Sequence, residues 1–168
     1  MVYSSRGKSL PDLNLTVNNT KILRVEKTKF LGVTIDSHLS WTPHIDYISK
    51  KISRSLGILL KARKKLDTQT IISLYYSFTY PYLIYCNQVW GKTYSTHLQP
   101  LHLLHKKVIR IITDSAYLAH TEALMKKIMI LNLTSINIYT RSILLYNYVE
   151  GNLPSNLNQY YTFKSEIF

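Results

Sequence analysis

Acidic side chains, the preferred ligands of magnesium in catalytic sites, are few and scattered in this chain. Its 168 residues include nine Asp and Glu, of which no two are adjacent and none form a D-x-D pair. Two-metal chemistry on phosphates needs carboxylates that converge on one point. Asp36 is interpreted as a turn residue, and Asp46 as an acid that the helix macrodipole favours in a first turn. We therefore expect no catalytic residue and no metal site.

Histidine and cysteine offer little more for catalysis. His102 and His105 are three residues apart on a predicted helix and could share a metal ion, but no third ligand is evident, so a structural role is favoured. His44 follows Pro43 at a predicted helix start, where it could hydrogen-bond a phosphate or face solvent. The single cysteine, Cys86, has no basic neighbour in sequence, so we interpret it as a small core residue on a helix.

Basic residues dominate the charge of the chain. Against the nine acids stand 21 Lys and Arg, which give a net charge of +12 at pH 7. Such an excess of positive charge indicates a polyanionic partner, most simply nucleic acid. An anionic membrane surface is a weaker interpretation. The charge could also be no more than a soluble basic surface without a polyanionic partner. No apolar run is long enough for a transmembrane helix or a signal peptide. We expect an intracellular protein, in the cytoplasm or the nucleus.

The cations gather on the faces of predicted helices. Thr42 as N-cap and Pro43 at the first helical position predict a helix that runs to Leu66. Its apolar stripe comprises Ile45, Ile48, Ile52, Leu56 and Leu59. Its opposite stripe carries Lys50, Arg54, Lys61, Lys64 and Lys65, and a second predicted helix over 97–113 carries Lys106, Lys107 and Arg110. Because contact with phosphates needs cations on one face, these eight side chains are candidate nucleic-acid contacts.

The remaining pattern predicts an α+β fold that is mainly α. Short β-like runs at 13–17, 22–25 and 30–35, with a turn at Asn18-Asn19, predict an antiparallel hairpin and a third strand. Helices are also expected over 121–129 and 136–150, the last capped by Ser135. A helix that starts near Gln69 is expected to bend at Pro81 and continue to Trp90.

Aromatic side chains of the predicted helices are interpreted mainly as core. The helix that starts near Gln69 is expected to turn Ile71, Leu74, Tyr75 and Phe78 inward. Tyr82, Tyr85, Tyr139 and Tyr146 fall in similar stripes, and Trp41 and Trp90 are interpreted as packing residues. Exposed tyrosines would instead be suited to stacking on bases.

Several motifs, taken in order, resemble one protein family. Residues 29–36 read KFLGVTID, and residues 39–45 read LSWTPHI. Further along stand Pro81, Leu83, Tyr85 and Trp90-Gly91 at matching intervals. Together they resemble the segment downstream of the catalytic palm in reverse transcriptases of non-LTR retrotransposons, the jockey/CR1/RTE-like group. The resemblance covers roughly residues 20–155, and one departure is His105, where the family usually has Gln.

The resemblance implies a primer grip at Lys29, Phe30, Leu31 and Gly32, and a helical thumb that holds an RNA–DNA duplex. It divides the chain into a β-strand remnant of the palm and primer grip (1–36), a thumb-like helical bundle (37–113), further helices (114–151) and a loosely ordered tail (152–168). The palm, with its catalytic Asp pair and its Mg²⁺, would lie upstream. We therefore expect no cofactor and no polymerase activity in this chain alone, and expect nucleic acid and the missing fingers and palm as partners.

Three alternatives stay open at this point. The chain could be a stand-alone nucleic-acid-binding protein, a helical module that binds a protein partner, or a relic without function. A steep salt dependence of nucleic-acid binding would favour the first, and salt-insensitive association would favour the second.

Overall fold

The computed structural model describes residues 14–158, and its β-structure consists of two short antiparallel hairpins. The first joins β1 (Thr16–Val17) to β2 (Thr20–Lys21). Asn18 and Asn19 between them have φ angles of 48° and 61°, which confirms the predicted turn. The second hairpin joins β3 (Lys27–Phe30) to β4 (Val33–Asp36). Predicted features at 1–13 and 159–168 lie outside the described residues.

The prediction of one continuous strand over 30–35 was wrong, because a turn lies inside it. Phe30 pairs with Val33, and Leu31 and Gly32 between them have φ angles of 44° and 83°. Two successive residues with positive φ make a tight turn that matches the twist of a hairpin. The strand predicted at 22–25 lies too late in the chain, because pairing occurs at Thr20–Lys21 and continues to Ile22, whose N–H donates to Leu15 O at 2.8 Å. The exposed residues that follow link the two hairpins.

Helix α1 (Thr42–Arg63) has Trp41 as its N-cap, not Thr42 as predicted, and it ends at Arg63 rather than at Leu66. Trp41 adopts a left-handed backbone with φ of 63°. The two carboxylate oxygens of Asp36 accept the N–H groups of Ser40 and Trp41, each at 3.0 Å, which confirms Asp36 as a turn residue. Burial acts to raise the pKa of Asp36, but these N–H donors outweigh it and hold the pKa below its ordinary value.

The helix predicted from 69 to 90 is interrupted twice. It divides into α2 (Thr68–Phe78), α3 (Tyr80–Ile84) and α4 (Asn87–Trp90). The first break falls at Thr79 because Pro81 has no N–H to donate and its ring crowds the preceding turn. The second falls at Cys86, whose φ of 49° ends α3, so this half-buried thiol is not within a helix as predicted.

The C-terminal half follows the predicted helices closely. It contains α5 (Ser95–Ile112), α6 (Thr121–Lys127), α7 (Leu133–Val149) and α8 (Ser155–Asn158). The cap of α7 differs from the prediction, because Asn132 Oδ1 accepts the N–H of Ser135 at 2.8 Å and Asn132 is the N-cap. The mainly helical α+β fold is thereby confirmed; the division of the chain into four regions stays a prediction.

The core lies where α1, α2, α3, α5 and α7 meet. Its largest fully buried side chains are Trp90, Tyr75, Ile45, Ile52, Leu59, Ile71, Leu83, Leu101, Ile109, Ile112, Leu133 and Ile136. Trp41 packs against this core from a half-buried position, so both tryptophans pack as predicted. Tyr85, Tyr139, Tyr146 and Phe78 are exposed, and their assignment to the core was wrong.

Helices α1 and α5 pack side by side and point in the same direction. At their N-terminal ends, Thr93 Oγ1 donates to Ser40 O at 3.0 Å. At their C-terminal ends, the guanidinium of Arg63 pairs with the Asp114 carboxylate at 3.2 Å. Cations near the ends of two distant segments of the sequence are therefore brought to one end of the molecule.

Candidate nucleic-acid interface

The turn of the second hairpin is attached to the helical part of the molecule by one tyrosine. The Tyr85 hydroxyl donates to Leu31 O at 2.6 Å, across 54 positions of sequence. Tyr85 comes from the break between α3 and α4, which aims its ring at the turn. A Cβ added to Gly32 would lie 3.3 Å from this ring, so the glycine permits both the close approach and the positive φ.

The predicted primer-grip residues surround this attachment. Phe30 and Leu31 are 63% and 73% exposed, so both present apolar surface at the tip of the hairpin. Lys29 lies on β3 and places its ammonium 5.4 Å from the centroid of the Tyr47 ring. The hairpin thus presents a cation, an apolar tip and a glycine turn together, and contact of these residues with a primer stays a prediction.

His44 is buried, so the structure excludes one of the two predictions for it, namely that it faces solvent. It is 2% exposed, and its Nδ1 accepts the N–H of Thr34 at 3.3 Å, which joins the start of α1 to β4. The ring stands edge-on to Trp90. Burial, and then the nearby positive charge of Lys29, lower the pKa of His44. Within residues 14–158, its Nε2 has no hydrogen-bond partner.

A cavity of about 270 Å³ opens between the second hairpin, the start of α1 and α3. We call it the tyrosine cavity, and its walls include Lys29, His44, Tyr47, Pro81, Tyr82 and Tyr85. Its surface is mainly aromatic and aliphatic, with two nitrogen-bearing side chains. Three of the predicted site residues, Lys29, Gly32 and His44, therefore meet in one concave site although they come from a strand, a turn and a helix.

The predicted basic stripe is exposed along its length, and its last two members, Lys64 and Lys65, follow the end of α1. Lys50, Arg54, Lys61, Lys64 and Lys65 all face solvent. The apolar stripe opposite is buried at Ile45, Ile48, Ile52 and Leu59, and half-buried at Leu56, so the prediction of an amphipathic helix is confirmed. The two stripes separate because the core takes one side of the helix and leaves the other to water.

A second group of cations, the cationic end, forms where α1 and α5 finish. It comprises Lys61, Arg63, Lys64, Lys65, Lys107 and Arg110. Arg63, Lys107 and Arg110 line one depression together with Tyr117 and Asp114. Arg110 is held there, because its Nε donates to Ala119 O at 3.1 Å and its guanidinium lies 5.9 Å from the Tyr117 ring centroid. Lys106 is exposed on α5 beside this group.

Sequence reasoning missed Arg63, Tyr47 and Tyr117 as members of these sites. Arg63 lies off the predicted basic stripe and is only 22% exposed, so its charge faces Asp114 rather than bulk water. Tyr47 lies four residues before Lys51, whose ammonium is 5.5 Å from its ring centroid. This helical spacing was the signal in the sequence that could have found it.

Of the two histidines considered above as a metal pair, His105 is part of the core and His102 is half-buried. His105 is 1% exposed and shares a hydrogen bond of 3.0 Å with the hydroxyl of Tyr75, its ring stacked on the tyrosine. Burial, and then the charge of His102, lower the pKa of His105 to about 4. Within residues 14–158, no three His, Cys, Asp or Glu side chains form a group that could hold a metal ion.

No helix in the described part of the chain is both long and apolar enough to cross a membrane. Relatives of the chain are found among proteins of mobile elements. It is 29% identical over 125 residues to the RNA-directed DNA polymerase from mobile element jockey of Drosophila melanogaster, an alignment that covers 72% of this chain and 13% of that protein. The jockey polymerase of Drosophila funebris is 28% identical over 110 residues, which are 64% of this chain and 12% of the relative.

A third relative is the probable RNA-directed DNA polymerase from transposon X-element of Drosophila melanogaster, 26% identical over 99 residues. That alignment covers 57% of this chain and 11% of the relative. The chain thus spans about an eighth of the length of the curated relatives that it matches. No family model and no solved structure matches it.

Proposed function

We propose that this chain, a homologue of one stretch of the RNA-directed DNA polymerases of jockey-type non-LTR retrotransposons, is the part of such a polymerase that grips nucleic acid without performing catalysis. In this proposal the second hairpin sets the position of the primer end, and the helices that follow hold the RNA–DNA duplex as a thumb.

One observation carries the proposal: the attachment of the Leu31–Gly32 turn to Tyr85, beside Lys29. The bond from the Tyr85 hydroxyl to Leu31 O fixes a solvent-exposed turn that would otherwise move freely. A strand end needs a fixed support, because displacements of about 1 Å lower the rate of the reaction that follows. The exposed tip and the adjacent ammonium supply an apolar surface and a phosphate contact.

The positions of the other cations support the duplex-holding part of the proposal. Lys50 and Arg54 face solvent on α1, and the cationic end extends this basic surface toward α5. Phosphate contacts of this kind position a duplex without reading its sequence. The partner would therefore be recognised by its charge and helical shape.

The contacts of the carboxylates support the proposal that this chain does not perform catalysis. Asp36 is occupied by the N–H groups of Ser40 and Trp41, and Asp114 by Arg63. Among residues 14–158, neither belongs to a group of three or more His, Cys, Asp or Glu side chains that could hold a metal ion. In this proposal the catalytic carboxylates and Mg²⁺ belong to another part of the polymerase.

Binding of a hybrid duplex tests the gripping role. With about five phosphate contacts, a plot of log K against log salt concentration should have a slope near −4.5 on B-form duplex DNA. Fluorescence anisotropy of the purified chain with DNA and RNA–DNA duplexes, over a series of salt concentrations, measures this slope. A flat response would reject nucleic-acid binding.

Primer extension tests the non-catalytic role. The purified chain, a primed RNA template, deoxynucleotides and Mg²⁺ should yield no extended primer. Templated synthesis by this chain alone would contradict the proposal.

A second candidate function is docking to a protein, such as the catalytic part of the same polymerase. Helix α7 leaves a row of large apolar side chains exposed, namely Ile138, Tyr139, Ile143, Leu145, Tyr146 and Val149. Exposed apolar patches of this kind often mark protein interfaces. Self-association in sedimentation experiments that persists at high salt and disappears when Ile143 and Tyr146 are changed to Ser would favour this candidate.

A further inference from the structure

The tyrosine cavity has walls suited to one flat ring. Tyr47, Tyr82, Tyr85 and Pro81 surround it, and the Tyr47 ring lies within 18° of parallel to the ring of His44. Its volume of about 270 Å³ lies just below the range of roughly 300–1,000 Å³ typical of drug-sized ligands. A single ring system fits such a space, whereas an extended ligand does not.

His44, one of the residues that line the cavity, carries a hydrogen-bond donor without a partner among the described residues. Because its Nδ1 accepts from Thr34 N–H, the neutral ring must carry its proton on Nε2. That nitrogen is buried and has no partner among residues 14–158. A buried donor without an acceptor is unfavourable, so a ligand that brings a carbonyl oxygen would be stabilised there.

The edge of the cavity is positively charged. The ammonium groups of Lys29 and Lys51 lie 5.4 Å and 5.5 Å from the centroid of the same Tyr47 ring. No carboxylate in residues 14–158 forms an ion pair with either lysine. Two ammonium groups beside one aromatic ring suit an anion attached to the ring system that enters the cavity.

We infer that the tyrosine cavity binds an unstacked base of a single-stranded nucleotide, whose carbonyl oxygen accepts from His44 Nε2 and whose phosphate lies between Lys29 and Lys51. The inference rests on the proposed function, which makes nucleic acid the partner, and adds a site that takes a base rather than the backbone. Base–aromatic stacking is the usual way in which proteins hold single strands.

The donor at His44 also predicts a preference among bases. Thymine, uracil, cytosine and guanine present carbonyl oxygens, whereas adenine presents none. An oligothymidylate should therefore bind more tightly than an oligoadenylate of equal length, although adenine stacks well. Stacking alone would produce the opposite order.

Three single-stranded probes of equal length test the inference: an oligothymidylate, an oligoadenylate, and an abasic deoxyribose-phosphate oligomer. All three carry the same number of phosphates, so differences in affinity report on the base. We expect the full-length chain to bind the oligothymidylate at least about fivefold more tightly than the abasic oligomer, in the range found for base stacking.

The variants Tyr47→Leu and His44→Gln should each reduce this preference, and His44→Gln should also remove the difference between thymine and adenine. Tyr94→Leu is the matched control, because Tyr94 is 75% exposed and lies outside the cavity. It should keep the full preference. If His44→Gln does not fold, the exposed Tyr47 still decides the result.

Equal affinity for the oligothymidylate and the abasic oligomer would overturn the inference, as would a preference that survives in Tyr47→Leu. Binding of a hybrid duplex with the expected salt slope, together with no base preference, would reject the cavity site and keep the proposed function. Failure to bind any nucleic acid would reject both.

Discussion

At the scale of single residues, the hydrogen-bonded pair of Tyr75 and His105 makes the stability of the fold depend on pH. Both side chains lie in the apolar core, and either can be the donor of their hydrogen bond, depending on which nitrogen of His105 carries the proton. Burial therefore raises the pKa of Tyr75 and lowers that of His105, so both groups stay neutral. The core tolerates this pair as long as no charge enters it.

Acidification should destabilise the fold through His105. In the unfolded chain this histidine takes up a proton near pH 6.5, but in the folded chain only near pH 4. Stability is therefore complete above about pH 6.5 and falls as the pH decreases toward 4, by about 3 kcal/mol from this residue. Urea denaturation at pH 7, 5.5 and 4.5 measures the loss. His105→Gln should show a shallower dependence on pH, and an unchanged slope in that variant would contradict the assignment.

Substitution of Gly32 should destabilise the protein, whereas substitution of Gly57 should not. Gly32→Ala places a Cβ at φ of 83° and 3.3 Å from the Tyr85 ring, so we expect a loss of about 1–2 kcal/mol and a weaker hold on the turn. Gly57→Ala is the matched control, because a Cβ there meets nothing within 4 Å and alanine favours the helix by about 1 kcal/mol. Thermal denaturation of the two variants should shift the midpoint in opposite directions. Equal shifts would reject the strain at Gly32.

At the scale of elements, buried amides connect α7 to the short helices before α5. Asn87 Nδ2 donates to Asn137 Oδ1 at 2.8 Å, and Asn137 Nδ2 donates to Gly91 O at 2.8 Å. Thr140 Oγ1 donates to Asn87 Oδ1 at 2.9 Å. A Cβ at Gly91 would lie 2.6 Å from Asn87, so the glycine after Trp90 makes room for this network. The network positions the helix without relying on apolar packing alone.

Loss of one amide should loosen α7. Asn137→Leu keeps the number and branching of the side-chain heavy atoms but leaves the carbonyl of Gly91 without its donor, and we expect a loss of about 1–3 kcal/mol. Ser142→Ala on the exposed side of the same helix should stay within about 0.5 kcal/mol of the original. Guanidinium denaturation measures both. Should Asn137→Leu prove as stable as Ser142→Ala, the network would not hold the helix.

Helices with a clear hydrophobic periodicity were predictable from sequence. Elements that end at a residue with an unusual backbone conformation were not. The long helices α1 and α5 were found because each alternates a buried and an exposed side over several turns. Helix α7 was found from a capping residue at its start and Gly151 after its end. The turn at Leu31–Gly32 was missed because leucine rarely adopts positive φ, and only the bond to Tyr85, far along the chain, compensates for that conformation. The break at Cys86 escaped prediction for the same reason.

At the scale of the whole molecule, the parallel course of α1 and α5 decides where the charge is concentrated. Sequence placed Lys61, Lys64 and Lys65 on one helix and Lys107 and Arg110 on another, but it could not show that the two groups are neighbours. Their meeting depends on contacts such as Ser40 with Thr93 and Arg63 with Asp114. Sequence therefore predicted which residues belong to the candidate site, but not that they form one continuous surface.

Removal of charge from the cationic end should weaken binding more than the same removal elsewhere. The triple variant Lys61, Lys64 and Lys65→Gln should flatten the salt slope on a DNA duplex by about 2.7, at about 0.9 per lost contact. Lys92, Lys126 and Lys127→Gln, all exposed and equal in charge change, should leave the slope unchanged. Anisotropy titrations at several salt concentrations compare them. Equal effects of the two triples would mean that only net charge matters.

The open side of β3 has a consequence for how copies of the chain behave together. This strand pairs with β4, and within residues 14–158 no strand pairs with its other side. Unpaired strand edges can join the edge of another molecule and seed aggregation. The ammonium groups of Lys27 and Lys29 repel a second copy, but salt screens that repulsion. High salt, which in the proposed function weakens nucleic-acid binding, would then also favour edge-to-edge assembly of the free protein.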